Sequence, residues 1–249
     1  MIVQIYEIQT PQEAERCIEL GVDHLGSVLL YEDEWRSPVI REVTNLTRGT
    51  GAKNSLIPLF GSLQTLCNAL DYYRPHYIHF CENLMGPPGH ELDLDRIINL
   101  QWALRQRFSG IGIIRSIPIP RAGQGLKDPV LDMARALEPV SDLFLTDTWL
   151  GKEPVQGYIG ITGKTADWDT SRQLVLRSQI PVILAGGLSP ENVYTALEQV
   201  RPAGADSCTQ TNAVDRDGRP IRFKKDFNRV KAFVREVRRF EKGPGQTAN

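Results

Sequence analysis

The chain has 249 residues, 41% hydrophobic and 24% charged, with a formal net charge of −1 at pH 7, the make-up of an ordinary water-soluble globule. Near-zero charge gives no sign of a nucleic-acid or anionic-membrane surface. The scattered Cys17, Cys67, Cys81 and Cys208 form no CxxC pair and read as reduced thiols rather than a disulfide frame or zinc site. The opening MIVQIYEIQT lacks a basic region followed by a long apolar run, and no stretch reaches the roughly 20 apolar residues of a membrane span, so a soluble, cytoplasmic protein is expected.

Short apolar runs alternate with longer segments of helical period, the pattern of a parallel sheet crossed by helices. Strands are predicted at residues 2–7, 24–30, 55–60, 77–81, 110–117, 142–147, 182–186 and 205–209. Eight strands with helices between them suit an α/β fold closed as a (β/α)8 TIM barrel, a single domain over residues 1–242. Thr10-Pro11-Gln12-Glu13 combines an N-cap threonine, a proline at the first helical position and a glutamate placed for a capping box. Gly21 is placed to close that helix. Ser37-Pro38 and Ser189-Pro190 repeat the cap-then-proline signal. The last helix, from Asp226 to about Phe240, sets Phe227, Val230, Phe233, Val234 and Val237 on one face. Its many Lys and Arg residues form the solvated side of a helix closing the barrel. Residues 243–249 carry no apolar anchor and are expected to be mobile.

In such a barrel the loops after the strands build the site. Three glycine-bearing or polar strand ends qualify: Gly160-Ile161-Thr162-Gly163-Lys164-Thr165-Ala166-Asp167-Trp168, Ile183-Leu184-Ala185-Gly186-Gly187-Leu188-Ser189-Pro190-Glu191-Asn192-Val193, and Ala205-Asp206-Ser207-Cys208-Thr209-Gln210. Glycine lets backbone N–H groups approach a phosphate, and a following helix N-terminus favours the negative charge. A phosphorylated small molecule is therefore the expected ligand, with Gly163, Gly186, Gly187, Thr209 and Gln210 in its cradle. Asp147, at the end of the sixth strand, faces the barrel interior by alternation with Leu145 and Leu143.

The segments 160–168 and 183–193 closely resemble the signature segments of the phosphoribosylanthranilate isomerase family of tryptophan biosynthesis. The likeness extends to Gly21-Val22-Asp23-His24-Leu25-Gly26, to Arg36, to Leu143-Phe144-Leu145-Thr146-Asp147-Thr148 and to Lys225-Asp226. It implies a barrel of the ribulose-phosphate-binding type and an Amadori rearrangement of an aminoaldose phosphate to an aminoketose phosphate. Asp147 would protonate the furanose ring oxygen, Arg36 would clamp the substrate carboxylate, and His79 and Cys81 on the fourth strand would line the substrate site. No cofactor and no metal are implied. The partner is the phosphorylated substrate, not nucleic acid or membrane, and the protein would act as a monomer or homodimer.

The departures are as informative. The family ends its first strand in cysteine–glycine, the cysteine being the base; here Tyr6 and Glu7 stand in those places. A phenol with a pKa of about 10 is a weaker base at neutral pH than a thiol near 8.5. Glu7 is the other candidate, although alternation turns it away from Tyr6 unless the chain bulges. The fourth strand reads Ile78-His79-Phe80-Cys81-Glu82 where the family often has histidine–glycine, and Cys208-Thr209-Gln210 replaces Ser-Ser-Gly. Segments 83–92, 118–129 and 213–223 are predicted as longer loops on the active face. Two other readings stay open. His79, Glu7, Glu82 and Asp147 could gather a divalent metal for lyase or aldolase chemistry, or the barrel could bind a phosphometabolite without turning it over.

Overall fold

A computed structural model describes residues 1–85, 93–123 and 127–243. Eight parallel strands close on themselves: β1 (Ile2–Ile5), β2 (His24–Leu29), β3 (Lys53–Pro58), β4 (Tyr77–Phe80), β5 (Gly112–Pro120), β6 (Leu143–Trp149), β7 (Val182–Leu184) and β8 (Gly204–Ser207). Closure runs through β1 and β8, with Ile2 opposite Gly204 and Ile5 opposite Ser207, leaving no free edge in the barrel. The helices α1 (Pro11–Glu19), α2 (Pro38–Leu46), α3 (Leu63–Tyr73), α4 (Leu94–Arg107), α5 (Lys127–Leu137), α6 (Trp168–Arg177), α7 (Val193–Val200) and α8 (Phe227–Lys242) follow the strands in turn. The predicted (β/α)8 barrel is the observed one.

The start signals act as the sequence suggests, with one exception. Thr10 caps α1 by accepting from the Glu13 N–H at 3.3 Å, and Ser37 caps α2 by accepting from the Ile40 N–H at 3.3 Å. Gly21 takes φ 84 just beyond α1, a left-handed turn that glycine adopts without strain. The exception is α7. Its N-cap is Asn192 rather than Ser189, because the Asn192 side chain is drawn back to Ser189 N–H (2.8 Å) and Gly187 C=O (3.0 Å), shaping the loop ahead of the helix.

Two of the three predicted long loops are reshaped. Half of the 118–129 segment is regular, since β5 runs on to Pro120 and α5 begins at Lys127, and residues 124–126 lie outside the described residues. The 213–223 segment is an antiparallel ribbon, β9 (Asn212–Val214) with β10 (Pro220–Lys225), turned by Asp215 to Gly218. Of the 83–92 loop, residues 86–92 lie outside the described residues, as does the predicted tail beyond Gly243. Among the described residues no helix is long and apolar enough to cross a membrane.

Most of the apolar core lies between barrel and helices; on the closing helix Val230, Phe233, Val234 and Val237 are buried as predicted. The barrel interior is divided. Ile114, Leu143, Leu145, Ile183 and Ala185 form an apolar plug on the β5–β7 side. Gln4, Tyr6, His24, Ser55, His79 and Asp206 are buried polar groups from β8 and β1–β4. Buried polar groups are tolerated only when they bond one another, and here they do. Gln4 donates to Asp206 at 3.1 Å and lies 3.3 Å from the His24 ring nitrogen, while Tyr6, His79, Ser55 and Ser116 form a second chain.

Candidate active site

Two adjoining hollows open at the C-terminal ends of the strands. The first is lined by Gly163, Gly186, Gly187, Thr209 and Gln210, among others, so the structure brings together all five residues predicted for a phosphate cradle. Their backbones meet closely. A Cβ on Gly187 would lie 2.5 Å from the Lys164 carbonyl carbon, and one on Gly186 would lie 2.5 Å from Thr148 Oγ1. Gly186 and Gly187 also have positive φ, 89 and 64 respectively. The Gln210 amide donates to the Gly163 carbonyl at 3.0 Å, tying the loop after β8 to the loop after β6. Beneath, the buried Lys225 ammonium donates to the Cys208 carbonyl at 3.0 Å and to Asn212 Oδ1 at 2.5 Å, anchoring the same turn.

The second hollow is largely apolar. Val28, Ile57, Leu59, Leu145, Val155 and Ile159 line it together with Tyr6, Glu7, His79 and Cys81. Asp147, Ile161, Asp206 and Cys208 line both hollows and form the seam between them.

Asp147 ends β6 as predicted. Its Oδ1 accepts from the Thr148 N–H at 2.8 Å. Gly160, at φ 104, passes so close that a Cβ there would stand 2.4 Å from Asp147 Oδ2. Burial pushes the Asp147 carboxyl up to about 7, with Glu153 adding to the rise and the Thr148 N–H opposing it. It is thus a carboxylic acid with a proton to give near neutrality. Asp206, on β8 in register with Gln4, is raised to about 8, first by burial and further by Asp147, against the Gln4 hydrogen bond and Lys225.

The two residues standing in for cysteine–glycine are both in the wall and both engaged. Tyr6 Oη is 2.9 Å from Ser55 Oγ and 2.5 Å from His79 Nδ1, and His79 Nε2 reaches Ser116 Oγ at 2.8 Å. Burial drives the Tyr6 phenol well above 10 and the His79 imidazole down to about 3, so both stay neutral. The Tyr6 ring occupies the space over Gly26, where any Cβ would overlap it. Glu7 takes φ 63, a left-handed turn that suits glycine better. Its carboxylate is held by the Arg222 guanidinium at 2.7 Å, by Asn212 at 3.2 Å and by the Phe223 N–H at 3.4 Å. The backbone conformation expected of a glycine survives here, and the ribbon's ion pair supports the side chain that replaced it.

Other predicted residues fall elsewhere. Arg36 is not in either wall; its guanidinium stacks over Tyr72 at 4.8 Å and Trp35 at 5.7 Å. Burial raises the Cys81 and Cys208 thiols, so neither is a ready thiolate. The donors suggested for a metal have other partners, Glu82 pairing with Arg115 at 2.6 Å and Glu7 with Arg222. Among the described residues no three His, Cys, Asp or Glu side chains converge as metal ligands. Asp206 and Arg222 were not among the predicted site residues. Alternation along residues 205–209 was a usable signal for the first, and the Asp217-Gly218 pair, a hairpin signal, for the ribbon carrying the second.

Residues 104–236 match the family model described as N-(5'-phosphoribosyl)anthranilate (PRA) isomerase. The N-(5'-phosphoribosyl)anthranilate isomerase of Methanocella arvoryzae is 34% identical over 236 residues, covering 95% of this chain and 97% of that protein. Phosphoribosyl anthranilate isomerase from Thermotoga maritima superposes with a TM-score of 0.68 at 20% identity, over 96% of this chain and 99% of that one. A phosphoribosyl anthranilate isomerase solved with reduced 1-(o-carboxyphenylamino)-1-deoxyribulose 5-phosphate gives 0.66 at 18%, with the same coverage. With glycine cradle, seam aspartate and barrel already in hand, this likeness over nearly the whole length means that the chain belongs to the N-(5'-phosphoribosyl)anthranilate isomerase family.

Proposed function

We propose that this protein isomerises N-(5'-phosphoribosyl)anthranilate to the aminoketose phosphate, an intramolecular aldose–ketose conversion in tryptophan biosynthesis. The observation that carries the reading is the seam. A glycine-built cradle suited to a phosphate adjoins an apolar hollow suited to an aromatic ring, and the sugar between them would lie against Asp147. Phosphate would be held by backbone N–H groups at Gly186, Gly187 and the turn after β8, where the α7 N-terminus adds favourable potential. Asp147 would donate its proton to the ring oxygen as the C1–O bond breaks, leaving an open Schiff base. The reaction as written calls for acid and base groups only, and the substrate is the partner; the protein would act as a monomer or a homodimer.

Asp147→Asn tests the reading. The amide keeps the Thr148 hydrogen bond but has no acidic proton, so kcat should fall about 10²–10⁴-fold while the reduced product analogue still binds. Turnover of that variant close to the unaltered protein's would overturn the assignment.

A further inference from the structure

We propose that Asp206 is the base that removes the substrate's C2 proton, acting across the seam from Asp147 in place of the strand-one cysteine. The inference rests on the isomerase reading above and concerns the group that reading lacks.

Position supplies the first argument. A molecule with its phosphate in the glycine cradle and its ring in the apolar hollow must cross the seam, where Asp147, Asp206 and Cys208 are the only ionisable side chains among the described residues. Asp147 comes from β6 and Asp206 from β8, two strands apart on the same mouth. The two carboxyls therefore flank the path that the sugar would take.

Elimination supplies the second. The Tyr6 hydroxyl is bound to Ser55 and His79 within the buried interior chain, and the His79 imidazole beyond it is a very weak base. Both Glu7 oxygens accept hydrogen bonds from the ribbon. The Cys81 and Cys208 thiols are disfavoured as thiolates by burial. Asp206 is held through Oδ1 by a single neutral amide, that of Gln4. The charges that act on it are Asp147, which raises its proton affinity, and Lys225, which lowers it.

The two buried carboxyls are coupled and titrate as a pair, with values of about 7 and about 8. Between those values the pair holds mainly one proton. The higher value at Asp206 places that proton mostly there; the active form is the tautomer that carries it on Asp147, leaving Asp206 as the carboxylate. Asp147 protonates the ring oxygen, the C1–O bond breaks and the nitrogen lone pair forms C1=N. Asp206 then takes the C2 proton. The C2–H electron pair becomes C1=C2, and the C=N π pair returns to nitrogen. The enolamine becomes the ketone by losing its hydroxyl proton and gaining one at C1. One proton leaves the pair and one returns to it, so the site resets by passing a proton from Asp206 to Asp147 through solvent.

The test uses the full chain with N-(5'-phosphoribosyl)anthranilate and its C2-deuterated form. Asp206→Asn should lower kcat about 10²–10⁴-fold with the reduced analogue still bound, whereas Tyr6→Phe and Glu7→Gln should cost less than about tenfold. The unaltered protein should show a primary isotope effect and a bell-shaped kcat, falling below about 7 as the pair gains a second proton and above about 8 as it loses the last. Asp206→Asn should abolish the acid limb and keep the alkaline one. Asp206→Glu, which restores a carboxylate, should recover part of the rate. Should Asn destabilise the barrel, Glu and the isotope effect still decide. Near-normal turnover in Asp206→Asn, or a comparable loss in Tyr6→Phe or Glu7→Gln, overturns the proposal while leaving the isomerase reading intact. An unaltered protein that binds the analogue but never turns over substrate overturns both.

Discussion

The two sides of the barrel mouth are built on different principles. On the β6–β8 side, Asp147 and Asp206 apart, the working parts are backbone: Gly160, Gly163, Gly186 and Gly187 take positive φ, and close neighbours leave Gly160, Gly186 and Gly187 little or no room for a Cβ. On the β1–β4 side they are side chains: the Tyr6–His79–Ser116 chain, the Glu7–Arg222 pair and Glu82 against Arg115. A phosphate cradle needs glycine at specified places because any Cβ enters the space that backbone donors require. A wall made of side chains can be rebuilt by exchanging partners together. The departures from the family pattern accordingly concentrate on the second side, with Tyr6 over Gly26 and Glu7 held by a ribbon that starts beyond β8.

The sharpest way to break that contrast is Gly187→Val. The new Cβ would press on the Lys164 carbonyl at a left-handed backbone position. The loops after β6 and β7 must then part, and affinity for the phosphate-bearing analogue should fall at least about tenfold, near the 1.4 kcal/mol scale. Calorimetric titration measures it, and affinity unchanged by the valine would mean that the cradle is not where phosphate binds. The melting temperature should fall as well, because the contact is with backbone and cannot be relieved by turning a side chain.

Arg222→Gln probes the other side. Removing one member of a buried ion pair typically costs about 3–5 kcal/mol. Glu7 is 2% exposed but Arg222 is 37% exposed, so screening by water should reduce the loss to about 1–3 kcal/mol. Urea denaturation should record it, and Glu7→Gln in the same background should recover part of it by removing the stranded charge. A full loss in the double variant would show that the ribbon is held by packing alone.

The smallest effect is expected at Arg36, which stacks on Tyr72 outside the two hollows. Arg36→Lys keeps the charge and part of the stacking, so KM should change less than about threefold, under ~0.7 kcal/mol. A steady-state increase in KM beyond about tenfold would mean that Arg36 leaves its stack to hold the substrate carboxylate, because lysine cannot reproduce a two-pronged guanidinium contact.

What the amino-acid order determined by itself was local or periodic. Alternating apolar runs and helical stripes specified eight strand–helix units, and Thr10-Pro11 and Ser37-Pro38 marked helix starts, because capping and amphipathic burial involve neighbours a few residues apart. Glycine pairs at strand ends marked the cradle for the same reason, since positive φ is a property of single residues. Asp147 was legible through its strand position. The raised pKa of Asp147 and that of Asp206 were not legible, because they come from burial among groups distant in the chain. Nor was the partnership of Glu7 with Arg222, 215 residues later, or the retreat of Arg36 to Tyr72. Tertiary structure alone decided which of the polar side chains at the mouth are tied to one another and which remain to meet a substrate, since barrel closure brings the ends of all eight strands to one rim whatever their separation in sequence.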